Sequence, residues 1–259
     1  MQYTSLLRKL SFAMCFYIGA FLVLPNIVLG AALHDRISKA LEANRGSLLE
    51  FRRDLHIHPE LSGVEKRTAQ VIARRLRDLG LEVRSDIGGH GVVGILRGGK
   101  PGPVVAYRAD IDAVLSTAPD PVEFASVTPG VRHICGHDMH ATIAVAIATA
   151  MADIRDELAG TVMFIFQPAE ENATGANAML EDGVIHDPVP EAIYALHCAP
   201  LEVGQLGVCD GMLLPGLDLI HIALFGEGDR AAAAGKCSQA ISGISEMGRS
   251  DEFIAASVF

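Results

Sequence analysis

Three apolar, β-rich runs in this chain each end on a side chain capable of chemistry. The run 103–109 stops at Asp110, the run 161–167 leads through Pro168 and Ala169 into Glu170 and Glu171, and the run 192–196 stops at His197. Segments with helical spacing alternate with these runs. Leu33, Ile37, Leu41, Leu48 and Leu55 mark a helix over 33–55 that Pro59 ends, and Thr68, Ile72, Leu76 and Leu79 mark a second over 63–79 closed by Gly80. Further helices are predicted at 140–154 and 175–180, and further strands at 81–85, 92–97 and 204–208, divided by Gly88-Gly89 and Gly98-Gly99. Alternation of this kind specifies a layered α/β domain with a largely parallel central sheet. Such sheets bind their ligands beyond the carboxyl ends of the strands, where these polar residues lie.

Composition narrows the function. Half of the 259 residues are hydrophobic, which is ample for a packed core. The formal charge is −10 and no Lys/Arg-rich run occurs, so nucleic acid is excluded as a partner and a small molecule is expected. Arg8 and Lys9, an apolar stretch from Leu10 to Leu29 and the small residues around Gly30-Ala31-Ala32 form the signature of a secretory signal over residues 1–30. The apolar stretch also approaches the length of a membrane anchor, although Pro25 interrupts it. Either reading places the globular part outside the membrane, secreted or periplasmic. Apart from Cys15, the cysteines Cys135, Cys198, Cys209 and Cys237 are too sparse for a disulfide framework.

Cys135 is better explained as a metal ligand. It opens the string Cys135-Gly-His-Asp-Met-His-Ala141, in which a glycine lets the backbone present a thiolate and the His137 imidazole to one ion. Glu170 and Glu171 leave a nearly uncharged strand, and adjacent carboxylates there point different ways. One suits a ligand and the other a general base. A lone histidine such as His197 is more often a hydrogen-bonded structural residue, but beside Cys135, His137 and Glu171 it supplies a fourth ligand. Asp110 is expected to orient an imidazole. The string Gly89-His-Gly-Val-Val-Gly94 matches a dinucleotide fingerprint, yet it continues as a strand rather than opening a helix, so it is read as a hairpin turn.

These motifs, in this order, resemble the amidohydrolase branch of the aminoacylase and carboxypeptidase-like metallopeptidases, which includes hippurate hydrolase and indole-acetyl-amino-acid hydrolase. The resemblance runs from Arg52-Arg-Asp-Leu-His-Ile-His-Pro-Glu-Leu61 through Arg108-Ala-Asp-Ile-Asp112, the Cys135 string, Phe166-Gln-Pro-Ala-Glu-Glu171 and Ala195-Leu-His197 to about Gly211. It implies a three-layer α/β/α catalytic domain over 31–215 and an incomplete α+β lid or dimerisation domain over 216–259. It implies a paired divalent centre held by Cys135, His137, Glu171 and His197, of zinc or manganese with cobalt or nickel as alternatives. Glu170 is then the general base, and the reaction is hydrolysis of an N-acyl-amino acid, hippurate-like or aryl-acetyl, to a carboxylate and an amino acid. Chains of this kind are longer, carry a last ligand histidine near the C-terminus and pair through the lid. The expectation here is a C-terminally truncated chain, either completed by a separate chain or a homodimer partner, or a silent homologue that only binds metal or a partner subunit. Where the lid of this family holds a substrate-binding histidine, the run 226–232 has Arg230, which binds an oxyanion but exchanges no proton near neutral pH.

Overall fold

The computed structural model describes residues 33–199 and 201–208, with the isolated positions 232, 235, 236 and 239. The expected signal segment 1–30, the lid strand 217–225, Arg230, Cys209 and Cys237 lie outside the described residues. Two compact units divide the chain at Pro200, and the first carries the elements below.

Helix α1 covers residues 33–57 and α2 covers Lys66–Asp78. The start of α2 leaves backbone N–H groups without helical partners. The Glu60 carboxylate takes two of them, accepting from Arg67 N at 3.0 Å and Thr68 N at 2.7 Å. Strands β1 (Glu82–Ile87) and β2 (Gly91–Arg97) form the hairpin expected at Gly88-Gly89, followed by β3 (Lys100–Asp110). A two-stranded ribbon, β4 (Val114–Leu115) with β5 (Val131–Arg132), precedes helix α3 (His137–Asp153). Then come β6 (Ala159–Gln167), helix α4 (Gly175–Glu181) and β7 (Ala192–Ala195).

The five-stranded sheet has the order β1-β2-β6-β3-β7. β2 is antiparallel to both neighbours, whereas β3 is parallel to β6 and β7. All strands but β2 therefore run one way, because a short turn joins β1 to β2 while helices carry the parallel crossovers. Side chains alternate across the sheet. Val92, Leu96, Val162, Phe164 and Phe166 face α1, α2 and α3 together with Leu55, Ile72, Leu76 and Val145. Val93, Ile95, Ala106, Met163 and Ile165 face α4 through Met179 and Val184. This is the three-layer α/β/α arrangement the sequence implies.

The chain leaves β3 through α3 to β6 on one side, and leaves β6 through α4 to β7 on the other. The carboxyl ends of these three strands thus flank the point where the winding changes direction, the usual location of a crevice in such sheets. Three expectations are corrected. α3 begins at His137 rather than His140, because Gly136 in the left-handed region ends the preceding loop and caps the helix. β7 stops at Ala195, two residues early, because Cys198 N is drawn to a side chain in α3. Residues 204–208 form no strand: the second unit has an exposed turn at 203–204 and no partner strand among its described residues.

Phe164 is fully buried between β6 and the α1–α3 layer. Phe164→Ala is expected to cost about 3–5 kcal/mol of stability, read as a lower denaturant midpoint with an unchanged slope.

Candidate metal centre

The loop after β5 delivers Cys135, and Gly136 turns the chain into α3 with φ +79°. An L side chain rarely adopts that backbone, and a Cβ there would also lie 3.0 Å from Cys198 Sγ. The turn places His137 and Asp138 in the first turn of α3 and His140 on the next.

His137 is buried, and its Nδ1–H donates to the backbone oxygen of Asp112 at 2.9 Å and to Asp112 Oδ1 at 3.1 Å. In the neutral ring the lone pair is consequently left on Nε2. Burial, which would lower the His137 pKa, is outweighed by the Asp112 bond and the charges of Asp110, Asp112 and Glu170, which raise it. Among the described residues Nε2 is buried without a hydrogen-bond partner, yet carboxylate oxygens of Asp110, Glu170 and Glu171 each lie 3.7 Å from it. Asp112 is itself anchored: Ser62 Oγ donates to it at 2.7 Å and Glu171 N at 3.0 Å. Burial alone would raise its pKa, but the bonds from His137, Ser62 and Glu171 N bring it down to about 2.

Asp110 is buried at the end of β3. Its Oδ2 accepts from Arg108 Nη1 at 2.7 Å, and its Oδ1 accepts from His140 Nδ1 at 2.6 Å. Burial opposes its charge, but the His140 bond and the nearby His137 and Arg108 hold its pKa below the usual carboxylate value. His140 Nε2 then accepts the Cys198 N–H at 2.9 Å. With both nitrogens engaged, His140 holds the segment 196–198 rather than offering a free lone pair. His197 lies in that segment with its Nδ1 2.7 Å from the Cys198 carbonyl oxygen and its ring 4.6 Å from that of His140.

Among the described residues, potential ligand atoms come together in three overlapping groups, each within 4.8 Å: Cys135, His137 and Glu171; Asp110, His137, His140 and His197; and Asp112, His137 and Glu170. His137 belongs to all three. Cys135, His137 and Glu171 therefore share one cluster, and His197 joins His137 in another. Arg230 lies outside the described residues.

The electrostatics favour a bound cation. The Cys135 thiol is pushed up to about 12 by burial, by its bond with Glu171 and by the charges of Glu171, Glu170 and Asp110. Glu170 is also raised, first by burial and then by Asp110 and Glu171. Like charges this close destabilise one another unless a cation sits among them. The unpartnered Nε2 and the mixed thiol, imidazole and carboxylate donors fit a divalent ion of the zinc or manganese type.

Three positions that shape the centre were not singled out from sequence. Asp112 and His140 stand inside motifs whose other members were chosen, two residues after Asp110 and three after His137; that spacing was the available signal. Asp138 is buried, with its Oδ2 2.8 Å from both Arg52 Nε and His56 Nδ1, tying α1 to the first turn of α3. Nothing local in the sequence announces that long-range contact.

Residues 106–252 match the model of peptidase family M20/M25/M40. The chain belongs to this family. An N-acetylcysteine deacetylase of Bacillus subtilis is 41% identical over 213 residues, covering 77% of this chain and 54% of the relative. An N-acyl-L-amino acid amidohydrolase of Geobacillus stearothermophilus is 35% identical over 209 residues, covering 80% and 56%. Among solved structures, the YXEP protein of Bacillus subtilis, described as a dinuclear metal binding peptidase of the M20 family, superposes with a TM-score of 0.58 at 42% identity, covering 61% of this chain and 44% of that one. This M20-family chain spans about half the length of the curated relatives it matches.

Two measurements check the centre. In the metal-free chain Cys135 stays protonated until the pH approaches about 12. Its alkylation at pH 8, followed by peptide mass mapping, is therefore expected to be far slower than in the unfolded chain, and to rise as the pH climbs. Asp112→Asn weakens the bond that fixes the His137 tautomer and is expected to lower divalent-metal affinity about 10–100-fold by equilibrium dialysis.

Proposed function

We propose that this chain carries the metal-binding part of an amidohydrolase that cleaves the amide bond of N-acyl-amino acids, yielding a carboxylate and a free amino acid. The observation that carries the reading is the buried His137 Nε2, unpartnered and 3.7 Å from three carboxylates, with the Cys135 thiol in the same cluster. Its membership of the M20 family supports it, as do relatives named as a deacetylase and an amidohydrolase of acylated amino acids.

Cys135, His137, Glu171 and His197 are the residues assigned to hold divalent ions, two of them by analogy with the dinuclear relative, zinc or manganese in the first place and cobalt or nickel as alternatives. When bound, such ions supply Lewis acidity at the amide carbonyl and make water a better acid. The rest of the work falls to the chain. Glu170 lies beside the cluster, half-buried, with its proton affinity raised above that of an ordinary glutamate. It takes a proton from water as the oxygen attacks the carbonyl carbon, then gives that proton to the departing amine nitrogen as the C–N bond breaks. Asp112 keeps the His137 lone pair aimed at the cluster. Asp110, through His140, holds the segment that carries His197.

The test is release of free amino acid from a panel of acetyl, benzoyl and indole-acetyl amino acids by the zinc- or manganese-loaded chain, with bound metal counted by elemental mass spectrometry. Glu170→Gln is expected to lower kcat about 10²–10⁴-fold with the metal content unchanged, and a chelator is expected to abolish turnover. Normal turnover by Glu170→Gln would remove Glu170 from the base role. A chain that binds its ions and releases amino acid from no member of the panel would instead be a silent metal-binding homologue.

A further inference from the structure

Glu65 is fully buried, and it belongs to none of the ligand clusters. Its Oε1 accepts two backbone N–H groups, from Gly63 two residues back at 2.8 Å and from Ala169 at 2.7 Å, 104 positions along the chain. Its Oε2 has no partner among the described residues. A buried carboxylate is costly to keep, so its contacts are worth tracing.

Ala169 is the residue immediately before Glu170. It is buried and has φ +50°, a conformation that an alanine adopts only when the surroundings impose it. Glu65 holds its N–H, and its carbonyl oxygen accepts from Thr174 N at 3.2 Å and Gly175 N at 3.1 Å. Gly175 closes this ring, since a Cβ there would meet the Pro168 oxygen at 1.6 Å. Asp112 performs the matching task on the far side of the pair, accepting from Glu171 N at 3.0 Å. The backbone of Glu170 and Glu171 is therefore held between two buried carboxylates. Both are reached by the same short segment, for Ser62 Oγ donates to Asp112 and Leu61 bridges to Ala113.

We propose that Glu65 is a positioning residue for the Glu170–Glu171 turn: by accepting the Ala169 N–H it locks the left-handed bend that directs the two glutamates toward His137. For the metal centre this rests on the amidohydrolase reading above; for the turn itself it rests only on the contacts just given. Glu65 acts through the backbone and touches neither the ions nor the substrate.

The experiment compares the full chain with Glu65→Leu, which removes the acceptor, and Glu65→Asp, which keeps the charge but withdraws it by one methylene. Amide hydrogen exchange of the metal-free proteins is read at residues 168–175 against α3 and the β1–β2 hairpin, and Co²⁺ is then titrated in and followed by its visible and near-ultraviolet absorption. In the variants, exchange at Ala169, Glu170 and Glu171 is expected to rise at least about tenfold while α3 keeps its protection. Co²⁺ affinity is expected to fall about 10–100-fold, with the thiolate-to-cobalt band from Cys135 still present at saturation. A merely structural role would loosen α3 along with the turn, and that outcome overturns the proposal. So does unchanged exchange at 169–171 in whichever variant folds. Failure of the unaltered chain to bind Co²⁺ would count against the amidohydrolase reading alone, because hydrogen exchange decides the role of Glu65 without any metal.

Discussion

A buried imidazole whose N–H is committed to Asp112, and whose lone pair faces three further carboxylates, is the contact around which this domain is arranged. His137 Nε2 lies 3.7 Å from oxygens of Asp110, Glu170 and Glu171 and has no hydrogen-bond partner among the described residues. So many acidic groups around one buried nitrogen repel one another, and that repulsion adds to burial in raising the Cys135 thiol and Glu170. A cation resolves that repulsion, and the protein spends much of its polar interior holding the groups in place for one.

The holding is done by contacts distant in sequence. Asp112 connects the end of β3 to the first turn of α3, to the Glu171 backbone and to Ser62. Asp110 connects through His140 to the segment after β7. Asp138 fastens α1 to α3 through Arg52 and His56. Glu65 reaches across to Ala169. In each case a short acidic side chain accepts from donors fixed in backbone or rings, so few rotatable bonds separate one rigid element from the next. A hydrophobic sheet sandwiched between helices supplies the rigid frame, and these four carboxylates aim the chemistry at its edge.

Much of the frame was legible in the chain itself. The periodicity of Ile72 and Leu76, the apolar run ending at Gln167 and the Gly88-Gly89 turn each translate into an element where they stand, because local spacing decides which face is buried. The reading failed where an end depends on a remote partner. β7 is cut short by the pull of His140 on Cys198 N; the start of α3, by contrast, is set locally, by the left-handed Gly136 just before it. The ribbon of β4 and β5 is two residues long on each side, too brief to leave a pattern.

The residues assigned to the metal were chosen by type and motif, and that choice needed no coordinates: a thiol, imidazoles and carboxylates at strand ends are chemically recognisable in a row of letters. What the row of letters could not decide was which of the polar residues have their hydrogen bonds filled and which keep an atom to spare. Asp112 differs from Asp110, and His140 from His137, only in the partners that folding brings to them. His140 has both nitrogens occupied, whereas His137 has one left over. Hydrogen-bond saturation is a property of three-dimensional neighbours, many of them dozens of residues away. Sequence by itself therefore determined the layered sheet and the kind of side chains at its edge, and tertiary structure alone decided which hydrogen bonds each polar group there makes.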